Sequence, residues 1–334
     1  MPILLTGGAG FIGSHICVRL LEMGEDVVLL DNFSNSKHTV PDRINEIAGR
    51  NFDLCVADVR DTDEMRRIFK TRDIEAVVHL AGLKAVGESV ENPLLYYENN
   101  VTGSVNLFNA MRESGCRNIV FSSSATVYGN CPDIPYKEHY PLSATNPYGQ
   151  TKIIIEQMLR DLYASDDTWR VSLLRYFNPI GAHKSGKIGE DPEGVPNNLM
   201  PYIAQVASGK LPRLSVYGDD YDTVDGTGVR DYLHVADLAD GHLSALNYIR
   251  QTPGIEAVNL GTGRGTSVLE MLRAFERASG RTIPYEIVPR RAGDIAEFYA
   301  DPSKAKEIFD WQALCGIDEM CEDTWRFTQT ATNL

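Results

Sequence analysis

Tyr148-Gly149-Gln150-Thr151-Lys152 puts a phenol and an ammonium four residues apart, which on a helix is one face. A phenol is a poor base at its ordinary pKa of about 10. A fixed cation beside it favours the phenolate. A phenolate in hydrogen-bond reach of an alcohol is a general base for taking its proton. On its own the pair reads equally well as a solvated helix face, so the question is what else the chain brings to it. Phe121-Ser122-Ser123-Ser124 closes a strand-like run upstream. The Ser124 hydroxyl could hold a substrate oxygen, or merely cap the following turn. No Cys or His is placed as a nucleophile with a base.

A hydride acceptor is suggested near the start of the chain. Gly7, Gly10 and Gly13 give a G-x-x-G-x-x-G pattern between a strand-like run and a helical one. The early glycines permit a tight turn and close backbone approach to a pyrophosphate. The last permits close helix–strand packing, and the N–H groups of the first helical turn (Phe11, Ile12) face the anion. The next strand ends in Asp31, eighteen residues past Gly13. A carboxylate there accepts hydrogen bonds from the adenosine ribose and repels a 2′-phosphate, which favours NAD over NADP. Asp58-Val59, where an adenine amino group could be read, and Ala81-Gly82-Leu83-Lys84 close two further strands. Ligands of open α/β sheets bind at that carboxyl edge.

The elements that must position these groups alternate. Strands are expected over 3–6, 27–31, 52–58, 76–81, 118–123 and 171–177, and helices over 11–23, 62–70, 94–113 and 148–164. Consecutive β-branched residues such as Val27-Val28 and Val77-Val78 suit strands buried on both faces. The expected fold class is α/β: a Rossmann-type doubly wound parallel sheet, followed by a smaller mixed α/β C-terminal substrate domain. The boundary is placed at 1–178 and 179–334, with about 229–262 packing back onto the first part. In the second part, helices are expected over 199–207, 235–247, 268–278, 302–309 and 318–329, and strands over 214–217 and 258–260. Ser267 and Glu270 form a capping box at the start of one helix.

Composition narrows the function further. A net charge of -14 over 334 residues argues against nucleic acid as a partner. No apolar run reaches the ~18 residues of a membrane span, and the first residues lack signal-peptide features. Six scattered cysteines without a C-x-x-C pair read as reduced thiols in a cytoplasmic protein. The seven histidines show no metal-ligand spacing, so no metal is expected.

The glycine fingerprint, Ser124 with Tyr-x-x-x-Lys, and Arg230-Asp231-Tyr232-Leu233-His234-Val235 together resemble the extended short-chain dehydrogenase/reductase family. Longer runs are similar to its UDP-hexose 4-epimerase branch. These are Ala81 to Ser89, Ser122 to Gly129, Leu174 to Pro179 and Pro196 to Tyr202. The resemblance covers nearly the whole chain. It implies an isomerase of galactose metabolism that interconverts UDP-galactose and UDP-glucose. Tyr148 takes the 4-hydroxyl proton while NAD accepts the C4 hydride, and the 4-keto sugar rotates and is reduced on its other face. Ser124 holds the hydroxyl, and Lys152 lowers the Tyr148 pKa and meets the nicotinamide ribose.

The same resemblance assigns NAD contacts to the loop Asn32, Phe33, Ser34, Asn35 and Ser36, and to Leu80, Lys84, Asn99 and Phe177. It assigns UDP-sugar contacts to Phe177, Asn178, Asn198, Leu199, Tyr217, Arg230, Arg291, Asp294 and Phe298. Arg230 and Arg291 suit bidentate pyrophosphate contacts; alternatively Arg230 pairs with Asp231 or a neighbour, and Arg291 is a solvated cation. A homodimer built on the helices 94–113 and 148–164 is also implied. In two places the chain departs from relatives. The loop before Tyr148 is a residue shorter, and bulky Phe298 stands where a small residue accompanies acceptance of N-acetylated sugars.

Three rivals are weighed. A 4,6-dehydratase needs an acid/base pair after the serine, where this chain has Ala125-Thr126. A UDP-N-acetylhexosamine or UDP-uronate epimerase differs in the sugar. A non-catalytic NAD-binding regulator would commonly lose the Tyr or Lys kept here.

Overall fold

Strands that are apolar at consecutive positions have no face to give to water, so helices must cover both sides. The chain supplies them in strict alternation: β1 (Ile3–Thr6), α1 (Phe11–Glu22), β2 (Val27–Asp31), α2 (Val40–Ala48), β3 (Asp53–Val56), α3 (Thr62–Thr71) and β4 (Ala76–His79). The structure, a computed structural model, describes residues 1–332 apart from Pro132, 193–195, Asn197 and Ala292. Asn197 of the run Pro196 to Tyr202 therefore lies outside the described residues. The chain continues through α4 (Val86–Glu91), α5 (Pro93–Tyr96), α6 (Gly103–Ser114), β5 (Asn118–Ser122), α7 (Pro147–Ser165), β6 (Arg170–Tyr176), β7 (Asn178–Ile180), α8 (Leu199–Ala207) and β8 (Leu214–Tyr217). It ends with β9 (Val229–His234), α9 (Val235–Gln251), β10 (Gly254–Leu260), β11 (Gly265–Ser267), α10 (Val268–Ser279), β12 (Tyr285–Val288), β13 (Glu297–Phe298), α11 (Ser303–Phe309) and α12 (Ile317–Thr332).

The main sheet has seven strands in the order β10-β6-β5-β4-β1-β2-β3. Every neighbouring pair in it is parallel. This is the doubly wound α/β arrangement that the alternation predicts. Every residue of β1, β2 and β4 is buried, while β3, at the sheet edge, exposes three of its four. One apolar layer joins α1 (Ile16, Leu20), α9 (Leu238, Leu246, Ile249) and α11 (Phe309) to one face. A second joins α3 (Met65, Ile68), α6 (Leu107, Met111) and α7 (Ile155, Leu159) to the other. Burial of a large apolar side chain contributes about 1.5–3 kcal/mol, so these two layers dominate the stability of the sheet. Because the strands are parallel, Thr6, Asp31, His79 and Ser122 all end at one edge.

Beyond the sheet, β7, β9, β11 and β13 form a four-stranded sheet, and β8 pairs with β12 in parallel. Helices α8, α10 and α12 pack around Met271, Phe275 and Met320. The capping box of α10 is present in both directions: Glu270 N–H donates to Ser267 Oγ at 3.0 Å, and Ser267 N–H to Glu270 Oε2 at 2.8 Å. No helix among the described residues is long and apolar enough to cross a membrane.

The structure corrects three local expectations. The single helix expected over 94–113 is broken into α5, a π-helical stretch Tyr97–Thr102 and α6, preceded by the unexpected α4. Pro93 lacks an N–H and disfavours helical backbone at Asn92, so the chain breaks there. Helix α2 was not anticipated; it is short, and only Pro41 and Ile44 are buried. The strands expected over 52–58 and 76–81 are shorter, since their last residues turn out to line the sheet edge.

Candidate active site

Helix α7 begins at the loop-side edge because Asn146 caps it, accepting from Gly149 N–H at 2.9 Å, with Pro147 in the first turn. That start places Tyr148 in the first turn and Lys152 one turn on, both buried. Ser124 follows β5 and is also buried. Its hydroxyl accepts from Thr126 N–H at 3.2 Å and from Thr126 Oγ1 at 2.9 Å, capping a short 3-10 turn Ala125–Tyr128. The same Ser124 side chain hydrogen-bonds Tyr148. The capping role and contact with the phenol are thus held at once.

The electrostatics differ from the expectation for Lys152. Burial raises the Tyr148 phenol above its ordinary value, and the Ser124 hydrogen bond offsets this only in part. No lowering by Lys152 is evident. Its ammonium donates to the Ser122 carbonyl at 2.8 Å and lies 5.8 Å from the Tyr148 ring centre and 4.8 Å from that of Phe121. Burial brings Lys152 itself down to about 8, against a raising influence of Glu156.

Glu156, a further turn along α7, was missed by sequence reasoning. It accepts from Ser123 Oγ at 2.6 Å and pairs bidentately with buried Arg175 at 2.9 and 2.6 Å. Arg175 also donates to Tyr128 Oη at 3.1 Å, and Tyr128 donates to Asn259 Oδ1 at 2.6 Å. A fully bonded ionic network therefore underlies Ser124 and Lys152.

The glycine loop is as tight as its sequence suggests. A Cβ on Gly13 would stand 2.3 Å from the Gly7 carbonyl oxygen, and one on Gly7 2.8 Å from Ala81 N. Gly7 has φ +70°, where side chains are strained. Only glycine lets β1, α1 and the end of β4 approach this closely, and α1 starts there without a side-chain cap. These residues fit a dinucleotide pyrophosphate.

Asp31 is buried, and its oxygens accept from Ala9 N–H at 2.9 Å, Phe33 N–H at 2.8 Å and Ser36 Oγ at 2.9 Å. A carboxylate has about four acceptor sites, so ribose hydroxyls would compete with Ser36 or take what remains. The bond to Phe33 holds that residue at φ 56°, rare for a bulky side chain. Asn32 donates to Asp58 at 2.9 Å and accepts from Ser34 N–H at 3.0 Å. Asp58 also takes both Arg60 branches, which hold its carboxyl down to about 2. Val59 is buried, and Asn35 is exposed.

At the end of β4, Leu80 and Ala81 bond to Thr6. Leu83 N–H donates to Asn100 Oδ1 at 2.8 Å, Asn99 donates to the same oxygen at 3.0 Å, and Asn100 Nδ2 donates to Leu83 O and Thr151 Oγ1. Asn100, inside the π-helical stretch, thus ties the Gly82-Leu83 turn to α7. No sequence signal marks Asn100; its place in a π-helical stretch, a feature that often accompanies functional sites, shows only in the fold.

The remaining residues form three groups. Phe177 is buried and faces Phe298 at 4.9 Å, and both face Tyr136. Phe298 stands in β13 in register with Arg230 of β9. Arg230 pairs with Asp294 at 3.5 Å and donates to the Val229 and Ile295 carbonyls. It does not pair with Asp231, whose buried carboxylate turns to Thr262, Gly263 and Ala300. Asn178 opens β7 and is exposed. Arg291 lies over Tyr217, the guanidinium 3.8 Å from the ring centre, and its carbonyl accepts from Asp294 N–H at 3.2 Å. Asn198 precedes α8, which starts with Leu199, and its side chain donates to Glu190 Oε1 at 2.8 Å rather than capping the helix. Lys84 donates to the same oxygen at 2.9 Å.

Comparison with known proteins points one way. The family model described as GDP-mannose 4,6 dehydratase matches residues 4–324. A UDP-glucose 4-epimerase of Bacillus subtilis (strain 168) is 57% identical over 333 residues, covering 100% of this chain and 98% of its own. One from Neisseria meningitidis is 54% identical, covering 99% of this chain and 98% of its own. Among solved structures, a UDP-glucose-4-epimerase of Stenotrophomonas maltophila with bound NAD and formylated UDP-arabinopyranose superposes with TM-score 0.98. It is 49% identical and covers 100% of this chain and 99% of that chain. One from Bifidobacterium longum in complex with NAD+ and UDP gives 0.96 at 49% identity, with the same coverage.

Proposed function

The chain belongs to the GDP-mannose 4,6-dehydratase family of extended short-chain dehydrogenase/reductases and, within it, to the UDP-glucose 4-epimerases, and from this we propose how it works. It is an NAD-dependent isomerase that interconverts UDP-galactose and UDP-glucose. The observation that carries the mechanism is the buried Tyr148 hydroxyl, bonded to Ser124 and one helical turn from Lys152, at the edge where the glycine loop opens. Bound NAD would supply a two-electron acceptor for C4 and a positive charge to the site.

Tyr148 takes the proton of the sugar 4-hydroxyl, and Ser124 fixes that hydroxyl in hydrogen-bond reach. Burial raises the Tyr148 phenol, so positive charge brought into the site, as from bound NAD, would favour the phenolate that the step needs. Lys152 is held by the Ser122 carbonyl, where it would also reach the ribose of a bound nicotinamide. After the 4-keto sugar rotates, Tyr148 returns the proton on the opposite face. The sugar must turn while the nucleotide stays, so Arg230 and Arg291 hold the pyrophosphate, with Asn178, Asn198, Leu199, Tyr217 and Asp294 around the uridine diphosphate. Phe177 and Phe298 wall the sugar, and their contact favours unsubstituted hexoses over N-acetylated ones. An elimination of water is disfavoured, because Ala125 and Thr126 offer no acid/base pair.

On this reading residues 1–178, with the returning segment 229–262, bind NAD, and the rest of 179–334 binds the UDP-sugar. A homodimer built on the helices 94–113 and 148–164 is supported by exposed apolar residues on the first of these, Leu95, Val105 and Leu94, the last 80% exposed. Six free cysteines suit a cytoplasmic enzyme, and a place in galactose metabolism follows from the substrates. The test is to incubate the purified protein with UDP-galactose without added NAD. UDP-glucose should form, and the Tyr148→Phe variant should be at least about a hundredfold slower. Near-full turnover by that variant would refute the mechanism.

A further inference from the structure

Residues 182–191 lead from β7 to contacts with α2, the loop after β2 and the turn after β4. Ala182 bridges Gly189 in antiparallel fashion, and His183 N–H donates to Ile188 O at 3.0 Å, so the segment doubles back as a short hairpin. Charged and polar contacts then fasten it at several points around the cofactor cleft. Lys187 pairs with Glu46 of α2 at 2.6 Å, and Arg43 donates to the Lys187 carbonyl at 3.2 Å. Asp191 pairs with Lys37, which lies just past the loop that bonds Asp31. Glu190 pairs with Lys84 at the end of β4.

Glu190 differs from the other anchors. Its side chain is only 12% exposed, against 49% for Lys84. A single oxygen, Oε1, accepts from both Lys84 Nζ at 2.9 Å and Asn198 Nδ2 at 2.8 Å. The Asn198 side chain leaves the start of α8 uncapped to make this bond. One carboxylate therefore fixes a cofactor-side cation and a substrate-side amide, which are 114 residues apart in sequence.

We propose that Glu190 is a positioning residue that couples the two ligand sites, holding Lys84 against bound NAD and Asn198 against the UDP-sugar. The proposal rests on the assignment of Lys84 and Asn198 above. Removing the charge but keeping the acceptor weakens the hold on Lys84 and leaves that on Asn198 largely intact. Removing the acceptor as well frees both.

The experiment uses the purified, full-length, NAD-loaded enzyme. NAD release is followed with an NAD-consuming trap, and kcat and KM for UDP-galactose are measured on wild type, Glu190→Gln and Glu190→Ala. Glu190→Gln should release NAD about five times faster, with KM unchanged, as expected for a half-exposed pair. Wild-type release should accelerate with salt, whereas that of Glu190→Gln should respond less. Glu190→Ala should in addition raise KM about fivefold with little change in kcat. Lys84→Gln, which reaches the pair from the other side, should reproduce the faster release without the KM change. Release rates and KM values within twofold of an active wild type in both Glu190 variants would overturn the coupling while leaving the proposed function intact. A wild type that neither holds NAD nor converts UDP-galactose would overturn both.

Discussion

Lys152 carries a cost that can be measured. Its ammonium is buried, and burial holds its pKa near 8 against 10.5 when free in water. Below pH 8 the folded and unfolded chains both carry the proton, and folding bears the full cost of burying the charge. Between 8 and 10.5 the folded protein releases the proton first. The unfolded chain then binds more protons, so stability rises with pH. The gap corresponds to about 3 kcal/mol at neutral pH.

Lys152→Met removes the titrating group but also leaves the Ser122 carbonyl without its donor, at about 1–3 kcal/mol independent of pH. The informative quantity is therefore the slope, not the offset. Urea unfolding of both cofactor-stripped proteins from about pH 7 to about pH 10 measures it. Wild type should gain about 2–3 kcal/mol relative to Lys152→Met over that range. Other groups, such as Tyr148 and Tyr176, titrate in both proteins and cancel. Parallel stability curves, within about 1 kcal/mol throughout, would refute the claim that the lysine is desolvated.

Three further outcomes follow from the geometry. Arg175→Met strands the Glu156 charge in the interior and should cost about 3–5 kcal/mol in chemical denaturation, while the double variant with Glu156→Leu should recover most of it; no recovery would mean the network is not the cause. Gly13→Ala drives a Cβ to 2.3 Å from the Gly7 carbonyl oxygen, and should cost about 1–3 kcal/mol and lower retained NAD in the purified protein; unchanged NAD content would contradict the fit of the loop. With Phe298 against Phe177, kcat/KM for UDP-N-acetylgalactosamine should lie at least about tenfold below that for UDP-galactose, and Phe298→Ser should narrow the difference; comparable turnover by the wild type would overturn the assigned role of the ring.

What could be read from the sequence was local or periodic. The alternation of buried strands and amphipathic helices leads to the parallel sheet. The glycine spacing leads to the tight turn at its edge, and Ser267 with Glu270 to the cap of α10. The meeting of Ser124 with Tyr148 was accessible because both follow directly from the end of a strand and the start of a helix. Pairings set by the tertiary fold were not. Arg175 finds Glu156 across a strand–helix crossover, and Glu190 finds Lys84 across 106 residues, without any repeating pattern to signal either. Pro93 marks the boundary between α4 and α5, but nothing periodic in 94–113 signals the π-helical stretch Tyr97–Thr102 inside it. The Tyr148–Lys152 spacing places the two side chains on one buried helix face, but a helix register does not say that Lys152 turns to the Ser122 carbonyl or that burial raises the phenol.

The central claim is that C4 is oxidised and reduced on the enzyme while Tyr148 moves only the hydroxyl proton. UDP-galactose carrying deuterium at C4 tests it most directly, converted without added NAD in ordinary water. The UDP-glucose formed should keep the deuterium at C4, since the same hydrogen leaves and returns within one active site. Replacement of that deuterium by solvent hydrogen would contradict the account, because it would mean that a base removes a proton from carbon.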